Sequence, residues 1–224
     1  MLIFLGVLLV GFMAPANAAS KKSVVLALGD SITAGAPEFR SSAEFPPWGR
    51  GNRQSQYAYW LEKTFPQIKF NNRGISGQTS ADILSRVDRE LDQSQPKAVI
   101  LMVGVNDIFR GYAPETLRAN LEALYEKIQA RQIPLMVLTI LPYRGLSESR
   151  AKQIDAINQW IKEYSVSHEL GFCDTASAMR SSSDHLKLEL TRDGLHPNPE
   201  GYHRMAEAIA RALRSWPPFT ELSK

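Results

Sequence analysis

The sequence predicts a three-layer α/β/α sandwich built on a parallel sheet of about five strands. Three observations carry that prediction. Short apolar runs at residues 24–27, 98–103 and 135–141 read as strands covered on both faces. Between them lie stretches whose apolar residues recur at helical spacing. Strands and helices alternate along the chain, as in βα units with helices on both sides of a sheet.

Residues 20–216 read as one domain, since a chain of ~200 residues buries enough surface to stand alone. Hydrophobic content of 44% and charged content of 22% are those of a globular protein. The formal charge is +3 with no block of Lys or Arg, so a nucleic-acid partner is not expected. The single cysteine, Cys173, excludes an internal disulfide. It sits in the apolar segment Gly171-Phe172-Cys173 and reads as a buried, inert thiol.

The N-terminus has a different character. Residues 2–13 are almost unbroken apolar sequence, followed by Ala14-Pro15-Ala16-Asn17-Ala18-Ala19. That pattern is a secretory h-region with an Ala-x-Ala site at Ala16 and Ala18. It is shorter than the ~20 apolar residues that span a bilayer. No Lys or Arg precedes it, as a full signal peptide would have. Residues 1–19 are read as a signal peptide, with an uncleaved anchor or a displaced start as the alternatives, which places the mature protein in the periplasm or outside the cell.

From residue 24 the elements follow in order. The first strand runs into Leu28-Gly29-Asp30-Ser31, a tight turn at its carboxyl end. A long loop at residues 36–54 follows, broken by Pro37, Pro46, Pro47, Gly49 and Gly51. It carries Phe39, Phe45 and Trp48 together with Arg40, Arg50 and Arg53. Residues 57–64 read as a short helix and 68–71 as a second strand. Thr79 or Ser80 caps the next helix, where Ile83, Leu84, Val87 and Leu91 share a face. After the third strand, Pro114 suits a first helical turn, with Leu117, Leu121, Leu124 and Ile128 following at helical spacing. The fourth strand precedes a helix striped by Ile154, Ile157, Ile161 and Tyr164. A short strand at 171–173 comes next. The last helix begins near Pro199 and turns Tyr202, Met205, Ile209 and Leu213 inward. The tail over residues 217–224 is expected to be loose.

Placing the unusual polar residues on this scaffold is informative. Gly29-Asp30-Ser31 follows the first strand, Asn72-Arg73-Gly74-Ile75-Ser76-Gly77-Gln78 the second, and Gly104-Val105-Asn106-Asp107 the third. Thr191-Arg192-Asp193-Gly194-Leu195-His196-Pro197 lies before the last helix. In a parallel sheet all strand ends of one sense lie on one edge, so these segments converge on one crevice.

Such a convergence suits acyl transfer. Ser31 is the candidate nucleophile, which needs an adjacent base. His196 is the candidate base, oriented by Asp193 three residues earlier. The backbone N–H groups of Ser31 and Gly77 and the Asn106 amide are candidate donors to a developing oxyanion. Glycine at 77 is expected to admit close approach of the backbone. Alternatives stay open at this point. Ser76 is a rival nucleophile and His185, after Asp184, a rival base; His168 and His203 fall on helical surfaces. Asp30, Asn106, Asp107 and His196 are also a conceivable metal set for a phosphoesterase, although the chain lacks clustered His and Asp ligands.

The ordered set Gly29-Asp30-Ser31, Gly77, Gly104-Val105-Asn106-Asp107 and Asp193-Gly194-Leu195-His196-Pro197 resembles the SGNH/GDSL hydrolase superfamily. The likeness covers the chain from Val24 to Leu213 and is nearest to exported bacterial esterases, thioesterases and lysophospholipases. It implies that Ser31, Gly77, Asn106 and His196 are the signature residues, with Asp193 completing a triad. It further implies a flavodoxin-like sandwich, no metal and no cofactor, and hydrolysis of esters or thioesters through an acyl-enzyme. Substrates implied are lipid-like or small acyl esters, lysophospholipids among them, with transient contact at a membrane surface and a monomeric protein. An acyltransferase using the same site, or a binding module that has lost catalysis, are the competing readings. The departure is residues 37–53, longer than compact members need. Phe39, Phe45 and Trp48 there are expected to form a mobile wall that selects the substrate.

Overall fold

In the computed structural model, which describes residues 22–181 and 186–222, the apolar runs lie side by side in one sheet. The first half of the chain gives β1 (Ser23–Gly29), α1 (Ser31–Ala34), β2 (Phe39–Arg40), β3 (Arg50–Gly51), α2 (Tyr57–Thr64), β4 (Ile68–Gly74), α3 (Ser80–Ser94) and β5 (Ala98–Met102). The second half gives α4 (Val105–Phe109), α5 (Pro114–Ala130), β6 (Leu135–Leu138), α6 (Glu148–Ser167), β7 (Gly171–Cys173), α7 (Thr175–Met179), α8 (Pro199–Arg214) and α9 (Pro217–Leu222). A 3-10 turn at Leu188–Leu190 precedes α8. The apolar N-terminal segment and the rival base His185 lie outside the described residues.

The main sheet is parallel throughout, in the order β4-β1-β5-β6-β7. The chain steps from β1 outward to β4, then returns across β1 to β5. Strand order therefore reverses between β1 and β5, which opens a crevice above their carboxyl ends. Ser31 and Asn106 lie just beyond those two ends. With helices on both faces this is the three-layer α/β/α arrangement. Val25, Leu26, Ala27 and Leu28 are wholly buried, as are Val99, Ile100 and Leu101 beside them. The stripes of α5 (Leu117, Leu121, Leu124, Ile128), α6 (Ile154, Ile157, Ile161) and α8 (Tyr202, Met205, Ile209) cover the sheet. Each such side chain contributes roughly 1.5–3 kcal/mol by leaving water. Thr79 rather than Ser80 caps α3, in a capping box with Asp82.

Several elements differ from the sequence expectation. Strand β4 continues three residues further, to Gly74, because Asn72 and Arg73 pair with Ala27 and Leu28 and their side chains find buried partners. Gly74 is needed there: a Cβ would lie 2.2 Å from the backbone nitrogen of Ala34 in α1. Strand β6 ends early, at Leu138. Helices α4 and α7 span five residues each, too few for a hydrophobic period to register. The supposedly loose tail is helical over α9, where Phe219 is buried with its ring 4.9 Å from Phe65. Phe219 anchors it, with Leu222 packed on the same core, and composition does not reveal such an anchor. The loop at 36–54 contains the antiparallel β2–β3 hairpin.

Charges are also taken inside. Glu90 of α3 has no exposed side-chain surface and meets Arg73 at 2.5 Å, Arg86 at 3.3 Å and Arg89 at 3.3 Å. Burial alone would raise its carboxyl, but the arginines, Arg73 foremost, hold it below the usual range. Removing this carboxylate leaves Arg73 and Arg86 without their counter-charge in a place where water cannot replace it. Glu90→Ala is expected to cost about 3–5 kcal/mol of stability in urea denaturation at neutral pH. Asp88→Ala, whose partners Lys127 and Arg131 stand in solvent, is expected to leave the urea midpoint unchanged within error.

Candidate active site

The site is built from the end of β1. Asp30 turns the chain into α1, its carboxylate capping the helix by accepting from the Ile32 N–H at 2.9 Å. Ser31 is thus the first helical residue, held with only 6% of its surface exposed. Asn72 closes the other end of this short helix, its amide donating to the carbonyls of Thr33 at 2.8 Å and Ala34 at 3.2 Å. Asp30 is buried, and burial pushes its carboxyl up to about 7, with the nearby Asp107 adding to the rise.

The base arrives from a loop that is bonded to itself. Thr191 donates from its hydroxyl to the His196 carbonyl at 2.7 Å and accepts from the Gly194 N–H at 3.0 Å. Asp193 Oδ1 accepts from the N–H groups of Leu195 at 2.9 Å and His196 at 2.8 Å. Its Oδ2 lies 2.7 Å from His196 Nδ1, and His196 Nε2 lies 2.9 Å from Ser31 Oγ. Burial would raise the Asp193 carboxyl; the His196 ring and the backbone donors of His196 and Leu195 outweigh it and hold the group below its usual range. An ionised carboxylate only accepts, so Nδ1 carries the ring proton and Nε2 presents its lone pair to the serine hydroxyl. The loop is steadied from outside by the Arg144 N–H on the Gly194 carbonyl at 2.8 Å. A second support is Arg192, 3.0 Å from Glu38.

The segment after β4 supplies the opposite wall. Ile75 N–H donates to the Gly29 carbonyl at 3.1 Å, tying this segment to the end of β1. Asn106 of α4 donates from Nδ2 to the Gln78 carbonyl at 2.9 Å, and Arg110 donates to the Gly77 carbonyl at 2.7 Å. No described residue accepts from the N–H of Ser31 or Gly77. Gly77 has φ +78°, and a Cβ there would meet nothing nearer than Arg110 Nη2 at 3.8 Å. Its left-handed backbone accounts for the glycine. Asp107 pins α4 to α3 by accepting from the Ser80 N–H at 2.9 Å and the Ser80 hydroxyl at 2.6 Å.

Sequence reasoning missed Arg86. From α3 its Nη2 donates to the Gly29 carbonyl at 3.1 Å and the Arg73 carbonyl at 2.9 Å, and its Nε to Gln78 Oε1 at 2.6 Å. One side chain thereby joins the end of β1, the end of β4 and the Gly77 segment. The available signal was a cation on the buried stripe of Ile83, Val87 and Leu91, with Glu90 one turn on to neutralise it.

Trp48 of the long loop is held away from Ser31. Ser41 Oγ donates to the Gly74 carbonyl at 2.5 Å and Ser42 Oγ to the Asn72 carbonyl at 2.8 Å, which folds the loop over the outer edge of β4. Phe39 is buried beneath Gly49. Phe45 lies under the Arg50 guanidinium, and Trp48 lies over Lys69. Lys69 is in register with Val24, five residues and about 16 Å before the end of β1. What the loop does give the site is polar support. Glu44 accepts from the Ser76 N–H at 2.8 Å, and Glu38 meets Arg192.

The other rivals resolve by position. Ser76 is exposed with no histidine bonded to it. His168 stacks on Tyr164 and His203 on Trp60. Asp30 faces Ile32 and Asp107 faces Ser80, and no three His, Cys, Asp or Glu among the described residues are grouped to share a metal ion. Cys173 is buried, and burial pushes its thiol up to about 12.

The chain is similar to known proteins over most of its length. Residues 27–204 match the GDSL-like lipase/acylhydrolase family model. An arylesterase of Vibrio mimicus is 26% identical over 95% of this chain and 98% of its own. The thioesterase 1/protease 1/lysophospholipase L1 of Escherichia coli K12 is 27% identical over 88% of this chain and 86% of its own. Among solved structures, a lipolytic protein of the G-D-S-L family from Desulfitobacterium hafniense superposes with a TM-score of 0.72 and 26% identity. That superposition covers 85% of this chain and 99% of the other.

The buried Asp30 makes stability depend on pH in a stated direction. Its carboxyl titrates near ~3.9 in an unfolded chain but at about 7 in the folded one. Between those values the native state binds the extra proton, so this group's stabilising contribution is lost as pH rises through the window. Asp30→Asn keeps the acceptor for Ile32 and removes the titration. The fall in urea midpoint between pH 5 and pH 8 is expected to be smaller in this variant than in the parent protein.

Proposed function

The chain belongs to the GDSL-like lipase/acylhydrolase family, whose members make it a carboxylic ester hydrolase, and from that premise we propose that Ser31, His196 and Asp193 perform the hydrolysis through an acyl-enzyme. The single observation that carries this reading is the unbroken line from Asp193 Oδ2 through the His196 ring to Ser31 Oγ, with contacts of 2.7 and 2.9 Å. Ser31 Oγ attacks the ester carbonyl carbon while His196 Nε2 takes its proton, and Asp193 stabilises the imidazolium that forms. The carbonyl oxygen, now an oxyanion, accepts from the N–H groups of Ser31 and Gly77 and from the Asn106 amide proton not used on Gln78. The tetrahedral carbon then expels the alcohol, which takes the proton from His196. Water, deprotonated by His196, attacks the acyl-serine and restores the enzyme. No step of this sequence calls for a metal or a cofactor.

The acyl group is proposed to lie toward α4, whose Phe109 and following Tyr112 are large apolar residues left exposed close to Asn106. That surface supports small or lipid-like acyl esters and thioesters as substrates, in line with the arylesterase and thioesterase names of the relatives. Export remains part of the proposal, resting on the apolar run at residues 2–13 and its Ala-x-Ala site.

A fluorophosphonate probe tests the nucleophile. Ser31→Ala is expected to lose labelling and to lower kcat on an activated acetate ester by about 10⁴-fold or more with the fold intact. Persistent labelling in that variant would assign the chemistry elsewhere. For the oxyanion donors, Asn106→Ala is expected to lower kcat by roughly 100- to 1000-fold with a smaller change in KM. The bond to the substrate oxygen strengthens as charge develops, so steady-state kinetics showing a KM effect alone would remove Asn106 from this role.

A further inference from the structure

A cavity of about 600 Å³ opens away from the Ser31 crevice, between the β2–β3 hairpin, α2 and the outer edge of β4. None of Ser31, Gly77, Asn106, Asp193 or His196 lines it. Its size falls in the ~300–1,000 Å³ range of small-molecule sites. The hairpin over it is tied down by the Ser41 and Ser42 bonds to β4, so the space is built into the fold.

The lining has a definite chemistry. Arg50, Arg53 and Lys69 face the cavity, and none of them pairs with a carboxylate among the described residues. Each instead lies near an aromatic ring: Arg50 by Phe45 at 5.5 Å, Arg53 by Tyr59 at 5.5 Å and Lys69 by Trp48 at 5.8 Å. Glu62 is the one carboxylate in the lining, and it accepts from the Phe70 N–H at 3.1 Å. Three cations against one occupied carboxylate favour an anionic occupant. Trp48 is 79% exposed, so most of its indole stays open to a ligand beside Lys69. At the floor, Asn71 donates to Ser94 at 3.1 Å, and amide and hydroxyl groups of that kind suit a ligand rich in hydroxyls.

We propose that this cavity is a second ligand site, separate from the hydrolytic crevice, that takes an acidic saccharide of two or three rings. The indole and phenol faces stack on sugar rings, the cations meet a carboxylate or phosphate, and the floor meets hydroxyls. A lipid chain suits such a lining poorly, because its cations and amides would lose water without gaining partners. A nucleic-acid strand needs a continuous basic groove tracking its backbone, whereas these three cations line a single open pocket beneath the hairpin.

The inference does not depend on the hydrolase reading, and its test uses protein that cannot turn over. Ser31→Ala protein is titrated calorimetrically at low salt with trigalacturonate, maltotriose, inorganic phosphate and an oligo-dT. The acidic trisaccharide is expected to bind at least about 10-fold more tightly than maltotriose and phosphate, and more tightly than oligo-dT. Adding Trp48→Ala is expected to weaken that binding about 10-fold, and Arg53→Gln or Lys69→Gln about 5- to 10-fold each. In the Ser31 protein, Trp48→Ala is expected to leave turnover of an activated acetate ester unchanged. Absence of trigalacturonate binding, equal affinity for maltotriose, phosphate or oligo-dT, or binding indifferent to all three substitutions would overturn the proposal.

Discussion

The carbonyl oxygen of Gly29 is the point on which the crevice hangs. It accepts from the Ile75 N–H and from Arg86 Nη2, both at 3.1 Å, one residue before the turn that presents Ser31. Through those two bonds the nucleophile turn, the end of β4 and the Gly77 segment share one reference. The guanidinium that makes the link is itself buried and depends on Glu90, which has no exposed side-chain surface. Burying such a pair is unfavourable unless its remaining donors are used. Arg86 uses Nε on Gln78 and Nη2 on two backbone carbonyls, while Nη1 faces Glu90 at 3.3 Å without a hydrogen bond. The charge thus serves to fix the arrangement more than to stabilise the fold.

Around that point the molecule separates rigid from adjustable parts. The five parallel strands set the crevice width, since Ser31 and Asn106 follow strands in direct register. The His196 loop is less constrained by the sheet and compensates with its own bonds through Thr191 and Asp193. The hairpin region adds outside support through Glu44 to Ser76 and Glu38 to Arg192. The Arg192 guanidinium is largely in water, so that ion pair on its own is weak. Glu38 is anchored more firmly by Asn52 and Ser55, whose side chains hold its carboxyl below the usual range. Support for the catalytic loops therefore comes through two hairpin carboxylates, Glu44 on the Ser76 N–H and Glu38 on Arg192, the latter held in place by neutral donors.

The sequence by itself determined the sandwich, the parallel sheet and the convergence of four polar segments on one edge. Those follow from local periodicity and from the direction of the strands, which backbone geometry dictates without reference to distant residues. Asp193 and His196 were legible as a pair because three residues on a tight turn can bring their side chains together. Only the tertiary structure decided where residues 37–53 lie. Their bonds run from Ser41 to Gly74 and from Ser42 to Asn72, contacts between residues 33 and 30 positions apart that leave no local pattern. The same holds for Phe219 on Phe65, for Arg86 on Gly29 and for the left-handed backbone that explains Gly77. Periodicity reports which face of an element is buried. Which distant group a buried donor reaches is settled by packing, and most of the polar framework around Ser31 is of that kind.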